Sequence, residues 1–292
     1  MRDRPHPGDP LDPAAAISIR GLGKRYGEFV AVESLDLDIR RGEIFALLGP
    51  NGAGKTTTVE ICEGYHRRDA GEVRVLGEDP ARAGRGWKAQ LGIVLQSGAG
   101  DSQLTVREML QAQASYYPDP RSADEVLDLV GLTEKAGVRG RTLSGGQRRR
   151  LDVALGIVGR PTLLFLDEPT TGFDPEARRQ FWSLIRSLRE LGTTMLLTTH
   201  YLDEAEALAD RVGVIARGRL VEVAVPATLG GRGTAPARVT WTENGLRRSE
   251  ATETPTALVR ELAARFPGEV PDLAVARPTL EDVYLRMIGE PT

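Results

Sequence analysis

A phosphate-binding loop (P-loop) is the part of this sequence whose residue types and spacing specify a chemistry most clearly. It fits the pattern GxxxxGK[ST] at every position, with Gly49, Pro50, Asn51, Gly52, Ala53, Gly54, Lys55 and Thr56. Glycines let backbone N–H groups surround phosphate oxygens, and the N-terminus of the following helix adds its positive dipole end. In this pattern Lys55 reaches the β and γ phosphates and the Thr56 hydroxyl binds Mg²⁺. The loop therefore predicts a site for a nucleotide with Mg²⁺.

The flanking segments predict the strand and the helix that must hold this loop. Ile44–Leu48 is a short apolar run that predicts a buried strand, and residues 57–63 predict a helix ended by Gly64. Strand, loop and helix in this order are the context in which the motif works. The loop alone still fits a kinase, a GTPase, a helicase or a transport motor, so the choice depends on the motifs downstream.

Two downstream segments carry further groups suited to nucleotide chemistry. The first is the pentapeptide LSGGQ, formed by Leu143, Ser144, Gly145, Gly146 and Gln147. The second is an apolar run at 163–166, which predicts a buried strand that ends in Asp167 and Glu168. Because adjacent residues of a strand point to opposite sides, these two carboxylates can perform different tasks.

With these motifs in this order, residues from about 17 to 226 resemble the ATP-binding cassette (ABC) ATPases, whose signature motif is LSGGQ. The resemblance extends to Tyr26 as the aromatic that stacks on adenine, Gln96 in the Q-loop, Asp174 in the D-loop and His200 as the switch histidine. It implies that ATP is bound by Tyr26, Gly49, Pro50, Asn51, Gly52, Ala53, Gly54, Lys55, Thr56, Thr57, Ser144, Gly145, Gly146 and Gln147.

The same resemblance implies the metal site and the catalytic roles. Mg²⁺ is expected to be held by Thr56, Gln96 and Asp167. Glu168 is expected to polarise the attacking water, while Gln96 and His200 organise that water and the γ-phosphate. Asp174 is expected to serve communication between two cassettes. Phe173 beside it departs from the leucine that most relatives carry, an apolar exchange that should preserve packing.

The fold implied is α/β: a P-loop ABC ATPase cassette with an antiparallel β subdomain and a helical subdomain, plus a small C-terminal α+β appendage. Alternating polar and apolar residues at 17–21, 30–32 and 35–40 predict the antiparallel strands. We expect a disordered tail at 1–14, the nucleotide-binding domain at 15–228 with its helical subdomain at about 97–160, a glycine-rich linker at 230–233 and an accessory domain at 236–292.

The helix that follows the signature motif has one apolar face, made by Leu151, Ala154, Leu155 and Val158. The arginines at 148–150 and Asp152 are expected to point outward. A nucleic-acid patch is the alternative for the three arginines. Because 38 Lys and Arg stand against 41 Asp and Glu, the chain as a whole is not basic, and no nucleic-acid partner is expected.

Composition limits the class of protein further. Cys62 is the single cysteine, which excludes an internal disulfide and favours a packed thiol in a cytosolic protein. No apolar run approaches the ~18 residues that can span a bilayer, and the first residues lack a signal-peptide core. We therefore expect a cytoplasmic chain that is not its own transport channel.

The resemblance implies that two cassettes act together, because in the family the signature of one closes on the γ-phosphate held by the P-loop of another. We expect a homodimer bound to a separately encoded transmembrane permease, peripheral on the inner face of the cell membrane. Residues 278–284 resemble the C-terminal extension of drug-export ATPases of the daunorubicin-resistance type, whose permeases belong to the ABC-2 group. Export of drugs or other hydrophobic compounds is the expected function.

Two alternatives remain open at this point. A cytosolic ABC ATPase that acts on ribosomes or DNA usually carries two cassettes in one chain or a long internal coiled coil, and neither is seen in this sequence. A scaffold that binds ATP without hydrolysing it is disfavoured, because Glu168 and His200 are both present.

Overall fold

The computed structural model of the protein describes residues 9–94 and 103–289. Gln96, one of the predicted site residues, therefore lies outside the described residues, as do positions 1–8 of the expected tail. Two residues of the expected tail, Asp9 and Pro10, accept hydrogen bonds at their carbonyl oxygens from the Arg20 guanidinium. Among the described residues, no helix is long and apolar enough to cross a membrane. The chain divides between Val223 and Ala224 into two compact units.

Strands and helices alternate along most of the first unit. Its strands are β1 (Ala15–Tyr26), β2 (Phe29–Arg40), β3 (Ile44–Leu48), β4 (Ala70–Val75), β5 (Leu91–Val94), β6 (Leu163–Asp167), β7 (Thr194–Thr199), β8 (Arg211–Ala216) and β9 (Arg219–Ala224). Its helices are α1 (Lys55–Cys62), α2 (Arg85–Lys88), α3 (Val106–Ala114), α4 (Ala123–Leu129), α5 (Gly145–Ile157), α6 (Pro175–Glu190) and α7 (Leu202–Leu208).

A six-stranded sheet in the order β5-β6-β7-β3-β8-β9 carries the chemistry-bearing loops. Strand β3 pairs in parallel with β7 and β8, and β6 pairs in parallel with β5 and β7. Every residue of β3 and β7 is buried, as expected for parallel strands covered on both faces. Because parallel strands end at the same edge, the P-loop after β3, the carboxylates after β6 and His200 after β7 lie together.

The antiparallel sheet has the order β2-β1-β4. Its first two strands form one long hairpin, although the sequence predicted three shorter segments. Register shifts at several points of β1 interrupt the alternation of polar and apolar residues. Strand β4 was not predicted. Gly71 in β4 has φ +82°, and a Cβ there would lie 2.3 Å from the Gly21 carbonyl oxygen, so the close approach of the strands requires a glycine that weakens the sequence signal.

The two sheets share one hydrophobic core with α1. Ile17 of β1, Phe45 of β3 and Phe165 of β6 are fully buried in it. Trp87 of α2 is also buried, and its indole Nε1 donates to the carbonyl oxygen of Val75 at 2.8 Å. Since interiors are close-packed, this core fixes the hairpin tip at Tyr26 relative to the P-loop.

Helices α3, α4 and α5 form the helical part of the first unit. Thr105 and Glu108 make a capping box at the start of α3, and Ser144 and Gln147 make another at the start of α5. Of the predicted apolar face of α5, Leu151, Ala154 and Val158 are buried, and Leu155 is half-buried. The signature motif thus stands at a well-defined helix N-terminus.

The second unit contains a three-stranded antiparallel sheet in the order β11-β10-β12. Its elements are β10 (Ala237–Glu243), β11 (Leu246–Thr252), α8 (Pro255–Arg265), β12 (Ala274–Ala276) and α9 (Leu280–Gly289). Leu262 of α8 packs against Val239 and Trp241 of β10. The glycine-rich segment expected as a linker forms a packed turn, since a Cβ on Gly230 would lie 2.2 Å from the Val283 side chain of α9.

Candidate functional site

The P-loop joins β3 to α1, and its path depends on glycine at two close approaches. Gly54 is the N-cap of α1 with φ +104°, and a Cβ there would lie 2.4 Å from the carbonyl oxygen of Ala31. At Gly49 a Cβ would lie 2.4 Å from the carbonyl oxygen of Ile215. Any side chain at these positions would collide with backbone atoms. The predicted strand, loop and helix are confirmed, with α1 beginning at Lys55.

The Lys55 ammonium is buried at the centre of this loop. Its Nζ donates to the carbonyl oxygens of Gly49 at 2.7 Å and Pro50 at 3.1 Å. Burial lowers the pKa of Lys55, and the nearby carboxylates of Glu168 and Asp167 oppose that shift. Phosphate oxygens are stronger hydrogen-bond partners for an ammonium than these neutral carbonyl oxygens, so the geometry suits a phosphate ligand.

A cavity of about 350 Å³ lies beside the loop, in the size range of small-molecule sites. It is lined by Tyr26, Phe29, Ala31, Asn51, Gly52, Gly54, Lys55, Thr56, Thr57, Asp167 and Glu168. The structure thus brings together the aromatic, phosphate-binding and carboxylate residues that the sequence singled out. Phe29 was missed, although an aromatic residue two positions after Gly27 was a usable signal, and it pairs with Tyr26 across the turn between β1 and β2.

The Tyr26 ring has an open surface toward this cavity. It is 44% exposed, with the Lys24 ammonium 5.3 Å from its centroid and the His66 ring edge-on to it. These contacts restrain a ring that lines the cavity and is still partly exposed. An exposed phenol face on a fixed hairpin can stack on a planar base.

The backbone changes direction at Glu168, directly after the last residue of β6, Asp167. The strand ends at Asp167, and Glu168 has φ +42°, an unusual left-handed conformation for a residue other than glycine. The strand predicted to end in both carboxylates thus ends at Asp167, so strand alternation does not describe the pair. A residue held in such strain is a candidate functional residue.

Thr198 of β7 holds this turn in place and was missed by sequence reasoning. Its carbonyl oxygen and hydroxyl both accept from the Glu168 N–H, at 3.1 and 3.2 Å, and its hydroxyl donates to the Asp167 carboxylate. Thr198 is fully buried. The available signal was a hydroxyl residue near the end of an apolar strand.

His200 lies against the Glu168 side chain at the adjacent strand end. The imidazole Nδ1 is 3.2 Å from Glu168 Oε1, and the Thr171 hydroxyl is 3.4 Å from Glu168 Oε2. The Glu168 side chain is 14% exposed and that of His200 is 40% exposed. The structure therefore places the predicted histidine in contact with the predicted carboxylate.

Glu63, at the C-terminus of α1, adds a titratable group that the sequence did not reveal. Burial, with the charges of Glu60 and Asp167, raises the pKa of Glu63 to about 7. The charge on Glu63 therefore changes with small shifts of pH around neutrality. A charge on Glu63 adds to the negative potential around Asp167.

The signature residues line a different cavity of about 790 Å³, which has no lining residue in common with the P-loop cavity. Ser144, Gly145, Gly146 and Gln147 line it together with Asp174. Asp174 is the N-cap of α6, and its carboxylate accepts from the N–H groups of Glu176 and Ala177. Beside it, the Phe173 ring packs edge-on against Phe181, so the apolar exchange in the D-loop preserves packing.

Arg149 and Asp152 of α5 were expected to point outward, but Arg149 is buried and the Asp152 side chain is only 10% exposed. The Arg149 Nε donates to the carbonyl oxygen of Pro169 and its Nη2 to that of Asp167, both at 2.9 Å. The Asp152 carboxylate is 3.9 Å from Nη1. Arg149 lies on the same side of α5 as the buried residue Val153, one turn away. Arg149 therefore connects α5, which follows the signature motif, to the segment after β6 that carries Glu168.

Comparison with known proteins identifies the family. The model of the ABC transporter family matches residues 32–171. The chain is 36% identical to daunorubicin resistance ATP-binding protein DrrA3 of Streptomyces coeruleorubidus, over 94% of this chain and 96% of that protein. It is 42% identical to Nod factor export ATP-binding protein I of Ralstonia nicotianae, over 77% of this chain and 72% of that protein.

Solved structures show the same fold. An ATP-binding subunit of an ABC transporter matches with a TM-score of 0.66 and 24% identity, over 73% of this chain and 91% of that one. A dimeric ATP-binding cassette in a post-hydrolysis state with ADP and Pi matches with a TM-score of 0.64 and 23% identity, over 72% and 98%. The protein thus belongs to the ABC transporter family and is an ABC ATPase, the ATP-binding subunit of a transporter.

Proposed function

We propose that two copies of this chain bind ATP between them and use its hydrolysis to drive a separately encoded export permease. The observation that carries the proposal is the separation of the P-loop cavity from the signature cavity within one chain. A second copy facing the first can bring the N-terminus of its α5 toward the phosphates. Backbone N–H groups and the helix dipole at Ser144, Gly145 and Gly146 favour an anion there.

Binding of the nucleotide is assigned to the residues of the P-loop cavity. The Tyr26 ring stacks on the adenine, and Lys55 with the P-loop amides binds the phosphates. Thr56 and Asp167 line the same cavity and offer the oxygen ligands that Mg²⁺ prefers, so the residues present fit that ion. When bound, Mg²⁺ neutralises charge on the phosphates. Gln96 is proposed as a further ligand, at a position outside the described residues.

Hydrolysis is assigned to the contact between the ends of β6 and β7. The Glu168 carboxylate accepts the proton of the attacking water, and His200 at 3.2 Å orients that carboxylate and the γ-phosphate. Thr198 fixes the backbone of Glu168 through its carbonyl and hydroxyl oxygens. Asp174, which lines the signature cavity, is assigned the role of sensing the second copy. Positioning and electrostatics supply the catalysis.

The relatives' names support export as the process driven. One set is named for daunorubicin resistance and another for Nod factor export. We propose that this chain works at the inner face of the cell membrane, on a permease for drugs or other hydrophobic compounds. These names do not favour action on ribosomes or DNA.

Cell fractionation tests this assignment. The chain is expected to sediment with membranes when its proposed permease partner is expressed with it, and to stay in the supernatant when the permease gene is deleted, because its membrane contact is through the permease. Carbonate-washed membranes and purified ribosomes serve as controls. Co-sedimentation with ribosomes, independent of the permease gene, would contradict the proposal and favour the cytosolic alternative.

A further inference from the structure

The imidazole of His200 packs against the aromatic ring that follows it in the sequence. The ring centroids of His200 and Tyr201 are 4.1 Å apart, and their planes are inclined by 38°. The guanidinium of Arg178 lies over the same Tyr201 ring, with its Cζ 4.9 Å from the centroid. The Tyr201 ring is therefore a contact shared by His200 and Arg178.

Arg178 lies near the start of α6, and its side chain is bound to α7. Its Nη1 donates to the Asp203 carboxylate of α7 at 2.7 Å. Its backbone N–H donates to the carbonyl oxygen of Asp174, the N-cap of α6, at 3.0 Å. The contacts of Arg178 thus connect the N-terminus of α6 to the segment that carries His200.

We propose that Tyr201 and Arg178 are positioning residues that hold the imidazole of His200 toward Glu168. Because the His200 side chain is 40% exposed, its orientation depends on the contacts that it makes with Glu168 and Tyr201. The phenol ring of Tyr201 limits rotation of the imidazole by packing against it, and Arg178 limits the motion of the phenol through a cation–π contact. The result is an imidazole kept within 3.2 Å of the Glu168 carboxylate.

The same contacts link the D-loop to the histidine. Asp174 lines the signature cavity and caps the helix on which Arg178 stands. A displacement of the N-terminus of α6 moves Arg178 and, through Tyr201, the imidazole. Tyr201 and Arg178 act only through His200, so their role rests on the catalytic part proposed above for that histidine.

Turnover of the transporter assembled with its permease measures this role. Tyr201→Ala is expected to lower kcat by about tenfold, the upper range of an aromatic contact, with KM for ATP within about twofold of wild type. Tyr201→Phe keeps the ring and should restore wild-type kcat. Arg178→Met should lower kcat by about threefold. Arg179→Met, the same change at an exposed neighbour on α6, should leave kcat unchanged.

A second background separates this role from that of His200 itself. In His200→Ala, the residual single-turnover rate should not fall further when Tyr201→Ala is added, because Tyr201 then has nothing to position. Equal losses in both backgrounds would overturn the assignment, as would wild-type kcat in Tyr201→Ala beside a slow His200→Ala. Wild-type kcat in His200→Ala alone would show instead that the proposed role of the histidine is wrong.

Discussion

Glu168→Gln is expected to lower kcat for ATP hydrolysis by about 10²- to 10⁴-fold while ATP still binds, the scale of losing a positioned general base. The amide has nearly the shape of the carboxylate, but it cannot accept the proton of the attacking water. The backbone contacts of residue 168 with Thr198 do not involve the side chain and are retained. An ATP-bound pair of chains should therefore accumulate.

The measurement is steady-state ATPase activity of the assembled complex, with nucleotide affinity determined in parallel. Glu190→Gln is the matched control, because it makes the same chemical change at an exposed position on α6. Its kcat should equal that of wild type. Wild-type turnover in the Glu168→Gln complex would mean that Glu168 is not the base.

The second large effect is expected on stability. Arg149→Met should lower the free energy of unfolding by about 3–5 kcal/mol, the scale of removing one member of a buried ion pair. The change leaves the buried carbonyl oxygen of Pro169 and the partly buried one of Asp167 without their guanidinium donor, and it removes the cation beside Asp152. The cost is large because Arg149 and Asp152 are about nine-tenths buried.

Urea unfolding of both variants and wild type tests this expectation. Arg148→Met, the neighbouring arginine on α5, is half-buried and should change the free energy of unfolding by less than about 1 kcal/mol. A destabilisation of Arg149→Met no greater than that of Arg148→Met would contradict the account of α5.

The P-loop and its flanking elements could be predicted from the sequence because their determinants are local. Glycine and lysine at fixed spacing specify the loop, and apolar runs specify β3 and β6. The grouping of the site residues was implied by the family resemblance, and in the structure parallel strands that end at one edge of a sheet account for it. The order of the motifs along the chain carried the family resemblance, which in turn supplied the expected roles of the site residues.

Arg149, Glu168 and Thr198 were harder to interpret because their environments come from distant parts of the chain. The periodicity of α5 cannot reveal that the carbonyl oxygens of Asp167 and Pro169 accept hydrogen bonds from the Arg149 guanidinium. The turn after Asp167 is held by hydrogen bonds that the Glu168 N–H donates to Thr198 of β7, and no local pattern records them. Strand β4 was not predicted for a similar reason, since the close approach of β1 requires a glycine at position 71.

The claim that one ATP site is shared between two copies is tested most directly by mixing two inactive variants. Lys55→Ala removes the phosphate ligand of the P-loop, and Ser144→Arg places a bulky side chain at the N-terminus of α5. With the permease present in membranes, each variant alone should hydrolyse ATP slowly. Their mixture should regain part of the wild-type rate, because the Ser144→Arg chain supplies an intact P-loop and the Lys55→Ala chain an intact signature. Wild-type activity in the Ser144→Arg chain alone would contradict the shared site.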